Sequence, residues 1–342
     1  MKTGKLSETI LKRSILRKLQ TKRPEVMQGA GVGRDCALFS FPKGIVGAGV
    51  SSFTLFASEE LEAKLTGVLN NAAAEGLEPV GLLFSLIFAE TIEEEEIRSL
   101  AERAERMCSR LGIQIAGGDS RISPNVLQTQ VSVTVLAVKE DDKGPAAGAA
   151  PGQEIVMTKW LGLAGTAVLA RASERELKKR LPARLVAEAG SFDGYASILE
   201  EAGVAASTGV SYMHDISRGG VFTALWELAE ATGVGFEIDI RKIPVRQETI
   251  EVTEVLGLNP YELDGTGSLL IVTEHGEELV NKLEREGIPA TVIGMVTAGK
   301  AKVLHNREEK RYLDRPTGEA REEIWEGEII RRQPKQEWRE KQ

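Results

Sequence analysis

The spacing of apolar side chains in the first half of the chain alternates between helical and strand periods. Over residues 6–19 they recur every three or four positions with basic residues between them, which predicts an amphipathic helix whose basic face is solvated. The pattern then predicts two strand-like runs (CALF and IVGAGV), a helix over residues 58–76, a strand through GLLFSLIF, a helix over residues 94–111 and a strand IQIAG that enters a loop, GGDSRIS. The alternating LQTQVSVTVLAV closes this half.

A segment with neither helical nor strand periodicity separates the two halves. KEDDKGPAAGAAPGQ is rich in small residues, proline, glycine and charges, which predicts a domain junction near Pro151. Beyond it we expect a strand in EIVMTKW, helical stretches to Ala202, a loop YMHDISRGG that feeds a helix and a strand, and a strand–helix–strand unit that begins at GSLLIVT. The predicted domains are therefore residues 1–150 and 151–316, both of mixed α and β structure, followed by a charged surface tail, 317–342.

Length and charge narrow the class of protein. The 342 residues are enough for about two domains. The 43 lysines and arginines are outnumbered by 51 acidic residues, so nucleic acid is not expected as the main partner. Two cysteines, Cys36 and Cys108, cannot build a disulfide framework, and we expect Cys36 to be a buried small hydrophobe. No apolar run is long enough for a membrane span, so we expect a cytoplasmic protein without a membrane partner.

The first candidate site is the segment HDISRGG, which precedes a predicted helix. Its two glycines, Gly219 and Gly220, allow close backbone approach, and a helix start offers free N–H groups to a phosphate. His214, Asp215 and Arg218 are then candidate catalytic side chains. The alternative is that an acidic or hydroxyl side chain caps the helix and the glycines form a tight turn.

The second candidate site combines two loops of the first half. In GGDS, Asp119 follows Gly117 and Gly118 at the end of an apolar strand, an arrangement suited to a hard cation beside a phosphate. Asp35 follows the glycine-rich GAGVGR and is a second candidate metal ligand. Aspartate in a glycine-rich turn is also common for conformational reasons alone. The chain has neither a Walker-type GK[ST] loop nor a G-x-G-x-x-G motif.

These segments, in this order, resemble a known superfamily. With GKLS before them and SFDGYASILEEAG, MHDISRGG and NPYELDGTGSLLIVT after them, they are similar to aminoimidazole ribonucleotide (AIR) synthetases (PurM), and the HypE branch of hydrogenase maturation factors is most similar. The resemblance implies an α+β (mixed α/β) protein of two domains, with N-terminal domains that form a β-barrel across a homodimer and a C-terminal sheet covered by helices. It also implies ATP and Mg²⁺, and phosphorylation of a carbonyl or amide oxygen of a small substrate.

The resemblance also assigns site residues. Asp35 and Asp119 match metal-binding aspartates, whereas Ser51 and Asn71 stand where the family has two further aspartates, so weak or lost Mg²⁺ binding is expected. At Asn70 the chain keeps the asparagine that the family has at the aligned position. The resulting nucleotide-binding set is Lys5, Arg34, Asn70, Asn71, Gly117, Gly118, Gly219 and Gly220.

Two functions fit the resemblance and the changes at the metal-binding positions. The first is a HypE-like ATP-binding protein that phosphorylates a small substrate and has a maturation-protein partner. Because the sequence ends in WREKQ, the HypE reaction on a C-terminal cysteine is not expected. The second is a non-catalytic dimeric accessory protein with a degenerate magnesium site. The purine-pathway synthetase is disfavoured because the second domain is more similar to the HypE branch. Thiamine-phosphate kinase is disfavoured because its second-domain loop does not resemble HDISRGG.

Overall fold

The computed structural model describes most of the chain: residues 4–5, 10–30, 38–41, 44–139, 148–315, 324–325 and 328–329. The chain forms two compact units. Unit 1 comprises Met1–Gly148 and Ser197–Met213, and unit 2 comprises Ala149–Ala196 and His214–Gln342. None of the helices in the described residues is long and apolar enough to cross a membrane.

The secondary structure is mixed throughout. The strands are β1 (Gly4–Lys5), β2 (Val26–Gln28), β3 (Leu38–Phe39), β4 (Ile45–Leu55), β5 (Glu78–Ala89), β6 (Gln114–Ser123), β7 (Thr129–Lys139), β8 (Glu154–Thr158), β9 (Tyr212–Ile216), β10 (Gly235–Asp239), β11 (Ser268–Thr273), β12 (Ala290–Thr297), β13 (Lys302–Asn306), β14 (Glu309–Tyr312), β15 (Ile324–Trp325) and β16 (Glu328–Ile329). The α-helices are α1 (Leu61–Ala74), α2 (Glu94–Leu111), α3 (Leu163–Ala172), α4 (Glu174–Leu177), α5 (Ala183–Gly190), α6 (Leu199–Ala206), α7 (Gly220–Thr232), α8 (Gln247–Leu256) and α9 (Gly276–Arg285).

Unit 1 is built on a five-stranded sheet in the order β1-β6-β5-β7-β4. Strands β5 and β6 are parallel, and α2 provides the crossover that such a pair requires. Along β7 every second residue is buried, including Val131, Val133 and Val135, and these side chains join Leu65 of α1 and Ile97 of α2 in the core. The helices therefore cover one face of this sheet.

The other face of the same sheet carries a row of polar side chains. Ser52 of β4 lies opposite Ser132 of β7, with 2.7 Å between their hydroxyl oxygens. In register, Ser132 faces Ser85 of β5, and Ser85 faces Asp119 of β6. Residues paired across adjacent strands share a face, so Asp119 lies on the side away from the helices.

The N-terminal segment departs from the predicted α-helix. Residues Leu11–Ile15 form a π-helical turn and Leu16–Lys18 a 3₁₀ turn, while residues 6–9 lie outside the described part. The basic face is not simply solvated, because Arg13 pairs with Glu94 and Lys18 with Glu102 of α2. Hydrogen bonds from Arg13 and then Ser14 lower the pKa of Glu94 to about 2. Contacts with the acidic helix thus override the local preference for a regular helix.

Two predicted loops are strands. The segment GGDSRIS lies within β6, because β5 pairs with it along one edge and the short β1 along the other. The segment YMHDI is β9, the edge of the seven-stranded sheet of unit 2, whose order is β14-β13-β10-β12-β8-β11-β9. In both segments, pairing with distant strands overrides residues that favour turns locally. The predicted α+β class is confirmed, as are the helix over 94–111 and the strand–helix–strand unit β11–α9–β12.

Cys108 of α2 should be chemically inert. It is fully buried, and burial, followed by the nearby Glu105 carboxylate, raises the pKa of its thiol to about 12. Since the thiolate is the nucleophile, we expect iodoacetamide to leave Cys108 unmodified in the folded protein at mildly alkaline pH and to modify it fully in urea. Peptide mass mapping measures both. Equal labelling rates in the two conditions would contradict the burial.

Candidate functional site

A pocket of about 320 Å³ lies in unit 1 between β4 and α1. This volume is at the lower end of the roughly 300–1,000 Å³ that is typical of small-molecule sites. One wall is the β4 segment around Gly47, Gly49 and Ser51. At Gly47 a Cβ would lie 2.2 Å from Cδ1 of Leu77, so the missing side chain there makes room for Leu77. The pocket is also lined by Ile45, Ala48, Val68, Asn71, Ala72, Glu75, Leu77, Val135 and Lys139.

Three polar side chains that line this pocket have no partner among the described residues. They are the hydroxyl of Ser51, the carboxamide of Asn71 and the carboxylate of Glu75. Asn71 is exposed, and Glu75 follows it by one helical turn, so both lie on the same side of α1. Polar side chains that line a concave surface and have no protein partner can bond to a ligand.

Asn70 has a different role from its neighbour. It is 1% exposed, and its Oδ1 accepts a hydrogen bond of 3.1 Å from the backbone N–H of Ile198. Successive helix positions are separated by about 100°, so Asn70 faces inward and Asn71 faces the pocket. The structure therefore separates two residues that the sequence treats as one nucleotide-binding pair.

Asp119 lies on the opposite face of the sheet from this pocket. Its Oδ2 accepts hydrogen bonds of 3.0 and 2.7 Å from Nε and Nη2 of Arg121, two residues along β6. Ser51 faces the helices, since its strand partner is the buried Val133. Asp119 and the Ser51–Asn71 pocket are thus not brought together within unit 1.

Gly117 and Gly118 line an apolar cavity rather than a polar site. This cavity of about 80 Å³ lies beneath the N-terminal segment and is lined mainly by apolar side chains. At Gly118 a Cβ atom would lie 2.1 Å from the carbonyl oxygen of Phe84, so only glycine allows β5 and β6 to pair there. Such a cavity does not suit a charged phosphate.

The described residues do not fit the magnesium ion that the resemblance implies. Magnesium is held mainly by carboxylates and substrate phosphates. No group of three or more His, Cys, Asp and Glu side chains lies together within the described ranges. Glu75 is the one carboxylate among the pocket residues, and Asp119 is already paired with Arg121. Arg34 and Asp35 lie outside the described residues, and Lys5 is described only as a strand residue opposite Arg121.

In unit 2, the segment HDISRGG spans the end of β9 and the start of α7. Nε2 of His214 lies 3.0 Å from Oε2 of Glu227. Burial raises the pKa of the Asp215 carboxyl; the charge of His214 opposes this shift, and the carboxylates of Glu227 and Asp264 add to it. Arg218 is exposed and has no ion pair or hydrogen bond to the described residues. The loop thus carries a carboxyl with a raised pKa and an exposed guanidinium that has no ion pair to the described residues.

The glycines of this segment have conformational and packing roles. Gly219, at φ 82°, is the residue that precedes α7, and no side chain caps the helix there. Gly220, at φ 68°, packs so closely that a Cβ would lie 2.4 Å from the carbonyl oxygen of Tyr261 and 2.6 Å from that of Leu263. Both positions therefore need glycine for structural reasons. The alternative interpretation expected such a glycine turn, but the capping side chain of Asp215 or Ser217 that it also expected is not found at the start of α7.

Sequence reasoning missed several polar neighbours. Glu75 could have been found, because it lies four residues after Asn71 on one helix face. Lys139, Glu227 and Asp264 carry no local signal, since they reach the pocket or the loop through tertiary packing.

The fold and the pocket define a two-unit α+β protein with a ligand-sized cavity in its first unit. Models of the AIR synthase related family match both parts, the N-terminal domain over residues 63–138 and the C-terminal domain over residues 150–306. The chain belongs to the AIR synthase related family.

Similar proteins include several named HypE. Carbamoyl dehydratase HypE of Rhodobacter capsulatus is 27% identical over 242 residues, which is 69% of this chain and 69% of that protein. The crystal structure of Escherichia coli HypE has a TM-score of 0.76 at 19% identity, over 92% of this chain and 98% of that one. A HypE structure in complex with ATP has a TM-score of 0.72 at 20% identity, over 90% and 94% of the two chains. For a HypE–HypF complex the TM-score is 0.68 at 21% identity, over 79% and 90%.

Proposed function

We propose that this chain is a HypE-like ATP-binding protein that phosphorylates a carbonyl or amide oxygen of a small substrate. The observation that carries the proposal is the β4–α1 pocket, in which three unpartnered polar side chains converge in the domain that the resemblance assigns to the nucleotide. A relative of the same fold has been solved with ATP. The pocket is of a size that suits a small molecule.

Loop 214–220 supplies the candidate catalytic groups. In the reaction, the bond between the terminal phosphorus and ADP breaks as a new P–O bond forms to the substrate oxygen, and ADP leaves. Arg218 is a free cation that can neutralise charge on the phosphoryl group. Asp215, with its raised pKa, can accept the proton that an amide loses as its oxygen attacks. His214 is oriented by Glu227.

The partners we propose are a second copy of this chain and a maturation protein. Strand β4 is the edge of the unit 1 sheet, and Val46 and Val50 are exposed on its solvent face. Exposed apolar residues on a free edge strand favour pairing with another chain. The HypE–HypF complex is the precedent for a maturation-protein partner.

The test is ATP binding followed by turnover. We expect saturating ATP to raise the melting temperature, because a ligand at 100 times its dissociation constant adds about 2.7 kcal/mol to stability.

We also expect ADP release in the presence of a carbamoyl or amide substrate to fall about 100-fold in Arg218→Ala, since an arginine on a transferring phosphoryl group contributes strongly. Arg184→Ala, on an exposed helix of unit 2, is the control. An unchanged melting temperature at every ATP concentration would refute the proposal.

A non-catalytic accessory protein is the second candidate. It is favoured by the neutral side chains at positions 51 and 71 and by the pairing of Asp119 with Arg121. ATP-dependent stabilisation without ADP release, for the wild type and Arg218→Ala alike, would select this candidate.

A further inference from the structure

The apolar cavity of unit 1 lies between the sheet, α2 and the N-terminal segment, and its volume is about 80 Å³. Phe84 and Leu86 of β5 form its floor, and Leu100 and Ala104 of α2 form one wall. Half-buried apolar side chains of the N-terminal segment cover it. These side chains, which we call the roof, are Leu11, Ile15, Leu16 and Leu19.

The cavity exists because small residues meet on two elements. Gly118 of β6 cannot be larger, since a Cβ would lie 2.1 Å from the carbonyl oxygen of Phe84. On α2, the residues that face the cavity include Ala101 and Ala104. Protein interiors are packed as densely as organic crystals, and a cavity lowers stability in proportion to its volume. A ligand that fills the space restores the missing van der Waals contacts.

The lining excludes charged and strongly hydrated molecules. Among the described residues that line the cavity, Ser120 carries the only polar side chain. A buried water needs two to four polar partners, so one hydroxyl is not enough to hold it. Successive strand residues point to opposite faces, so Asp119, between Gly118 and Ser120, points away from the cavity.

Carboxylates of α2 hold the N-terminal segment from beside the cavity. Glu94 pairs with Arg13 and accepts a hydrogen bond of 2.7 Å from the hydroxyl of Ser14. Glu102 pairs with Lys18 at 2.5 Å. Ion pairs with solvent access are individually weak. The roof is therefore held by contacts that can open to admit a ligand, while its own apolar side chains gain burial when the cavity is filled.

The volume sets the size of the ligand. An apolar cavity of about 150 Å³ stays dry and binds benzene or xenon, and the cavity here has about half that volume. We infer that it binds a compact, uncharged apolar molecule or aliphatic group that is smaller than a benzene ring. The bound ligand holds the roof against α2. This ligand is not a nucleotide, and its binding does not depend on the proposed function.

Xenon and cyclopropane are the probes, because both are small, apolar and uncharged. We expect both to shift the methyl NMR signals of Leu100 and Ile115 saturably in the intact protein. Acetate, which is small but charged, should leave these signals unchanged, and benzene should be excluded by its size. In crystals under xenon pressure, an anomalous peak should lie between Phe84, Leu100 and Leu16.

Binding should also slow amide hydrogen exchange in the roof. The N–H of Leu16 donates to the carbonyl oxygens of Leu11 and Lys12, and these bonds must open for exchange. At ten times the dissociation constant of xenon, exchange at Leu16 should slow about tenfold, because the ligand binds only beneath the closed roof. Unchanged exchange at saturation would show that the roof does not respond to the ligand.

Ala104→Leu is the variant that fills the cavity. It should abolish the xenon-induced shifts and raise the melting temperature, because its added carbons occupy the ligand's space. Ala101→Met repeats the test with a flexible side chain that adapts to irregular gaps. Ala183→Leu, the same change as the first at an exposed position of α5, should bind xenon as the wild type does.

A wild type without saturable shifts and without an anomalous peak in the cavity would overturn the inference. Xenon binding that persists unchanged in both filling variants would also overturn it, as would ordered water in the cavity of a crystal structure. Stabilisation by ATP in a protein that does not bind xenon would leave the proposed function standing. Xenon binding in a protein that ATP does not stabilise would leave the cavity assignment standing.

Discussion

Replacing Asn70 with alanine is expected to lower the free energy of unfolding of unit 1 by about 2 kcal/mol, the usual cost of leaving a buried backbone N–H without its acceptor. Asn70 is 1% exposed and accepts from the N–H of Ile198, which is itself fully buried. This hydrogen bond joins α1 to the start of α6, a segment 128 residues away in sequence. Hydrogen–deuterium exchange should therefore accelerate in residues 197–206.

The neighbouring residue is the matched control. Asn71→Ala removes an exposed side chain without a partner, so we expect the free energy of unfolding to change by less than about 0.5 kcal/mol and exchange in residues 197–206 to stay the same. Asn71→Ala should instead weaken ligand binding. Equal destabilisation by the two variants, or slower exchange in Asn70→Ala, would show that the helix does not place these residues on different sides.

The contrast between the two asparagines illustrates what the sequence could establish. Apolar residues that recur every three or four positions predicted the helix itself. The acidic residues at its start supported the predicted boundary. The phase of the helix decides which asparagine faces inward. The apolar stripe of the helix indicates that phase, but the bonding partner of Asn70, Ile198, lies 128 residues away and no local pattern indicates it.

Strand β6 shows the same limit at the level of secondary structure. Gly117, Gly118 and Asp119 favour turns locally, so a loop was the reasonable prediction. The strand forms because neighbours pair with both of its edges, and the absence of a side chain at Gly118 is what allows the close contact with Phe84. Once β6 is known to be a strand, its period of two places Arg121 on the same face as Asp119. The Asp119–Arg121 ion pair could therefore be predicted only once β6 was known to be a strand.

In other segments, strong periodicity in the sequence was sufficient to predict the secondary structure. In α2 the carboxylates of the first turn and the left-handed Gly112 after the last turn define a helix that packing only reinforces. In β7 the alternation of buried and half-buried residues follows directly from the sequence. The segments that were predicted correctly are those in which local and tertiary preferences agree.

The glycine pair of the unit 2 loop gives the other large expected effect. Gly220→Ala should lower the free energy of unfolding of unit 2 by about 4 kcal/mol, because a left-handed residue costs an alanine about 1–2 kcal/mol and the new Cβ meets two carbonyl oxygens of the backbone. Gly233, at φ 73°, has nothing within 4 Å of its Cβ position. Gly233→Ala therefore has the conformational cost alone, about 1 kcal/mol.

The difference in unfolding free energy between these two variants shows whether Gly220 is needed for packing or for ligand binding. No tryptophan falls within the residues of unit 1, so urea unfolding followed by tryptophan fluorescence reports the stability of unit 2. If Gly220 is needed for packing against Tyr261 and Leu263, Gly220→Ala loses about 3 kcal/mol more than Gly233→Ala. If the glycine serves only to bring backbone N–H groups to a phosphate, the two variants unfold at similar urea concentrations and Gly220→Ala loses ligand binding alone. The close contacts at Gly220 favour the first result, because a backbone carbonyl cannot move aside without disturbing the turn that ends at Leu263.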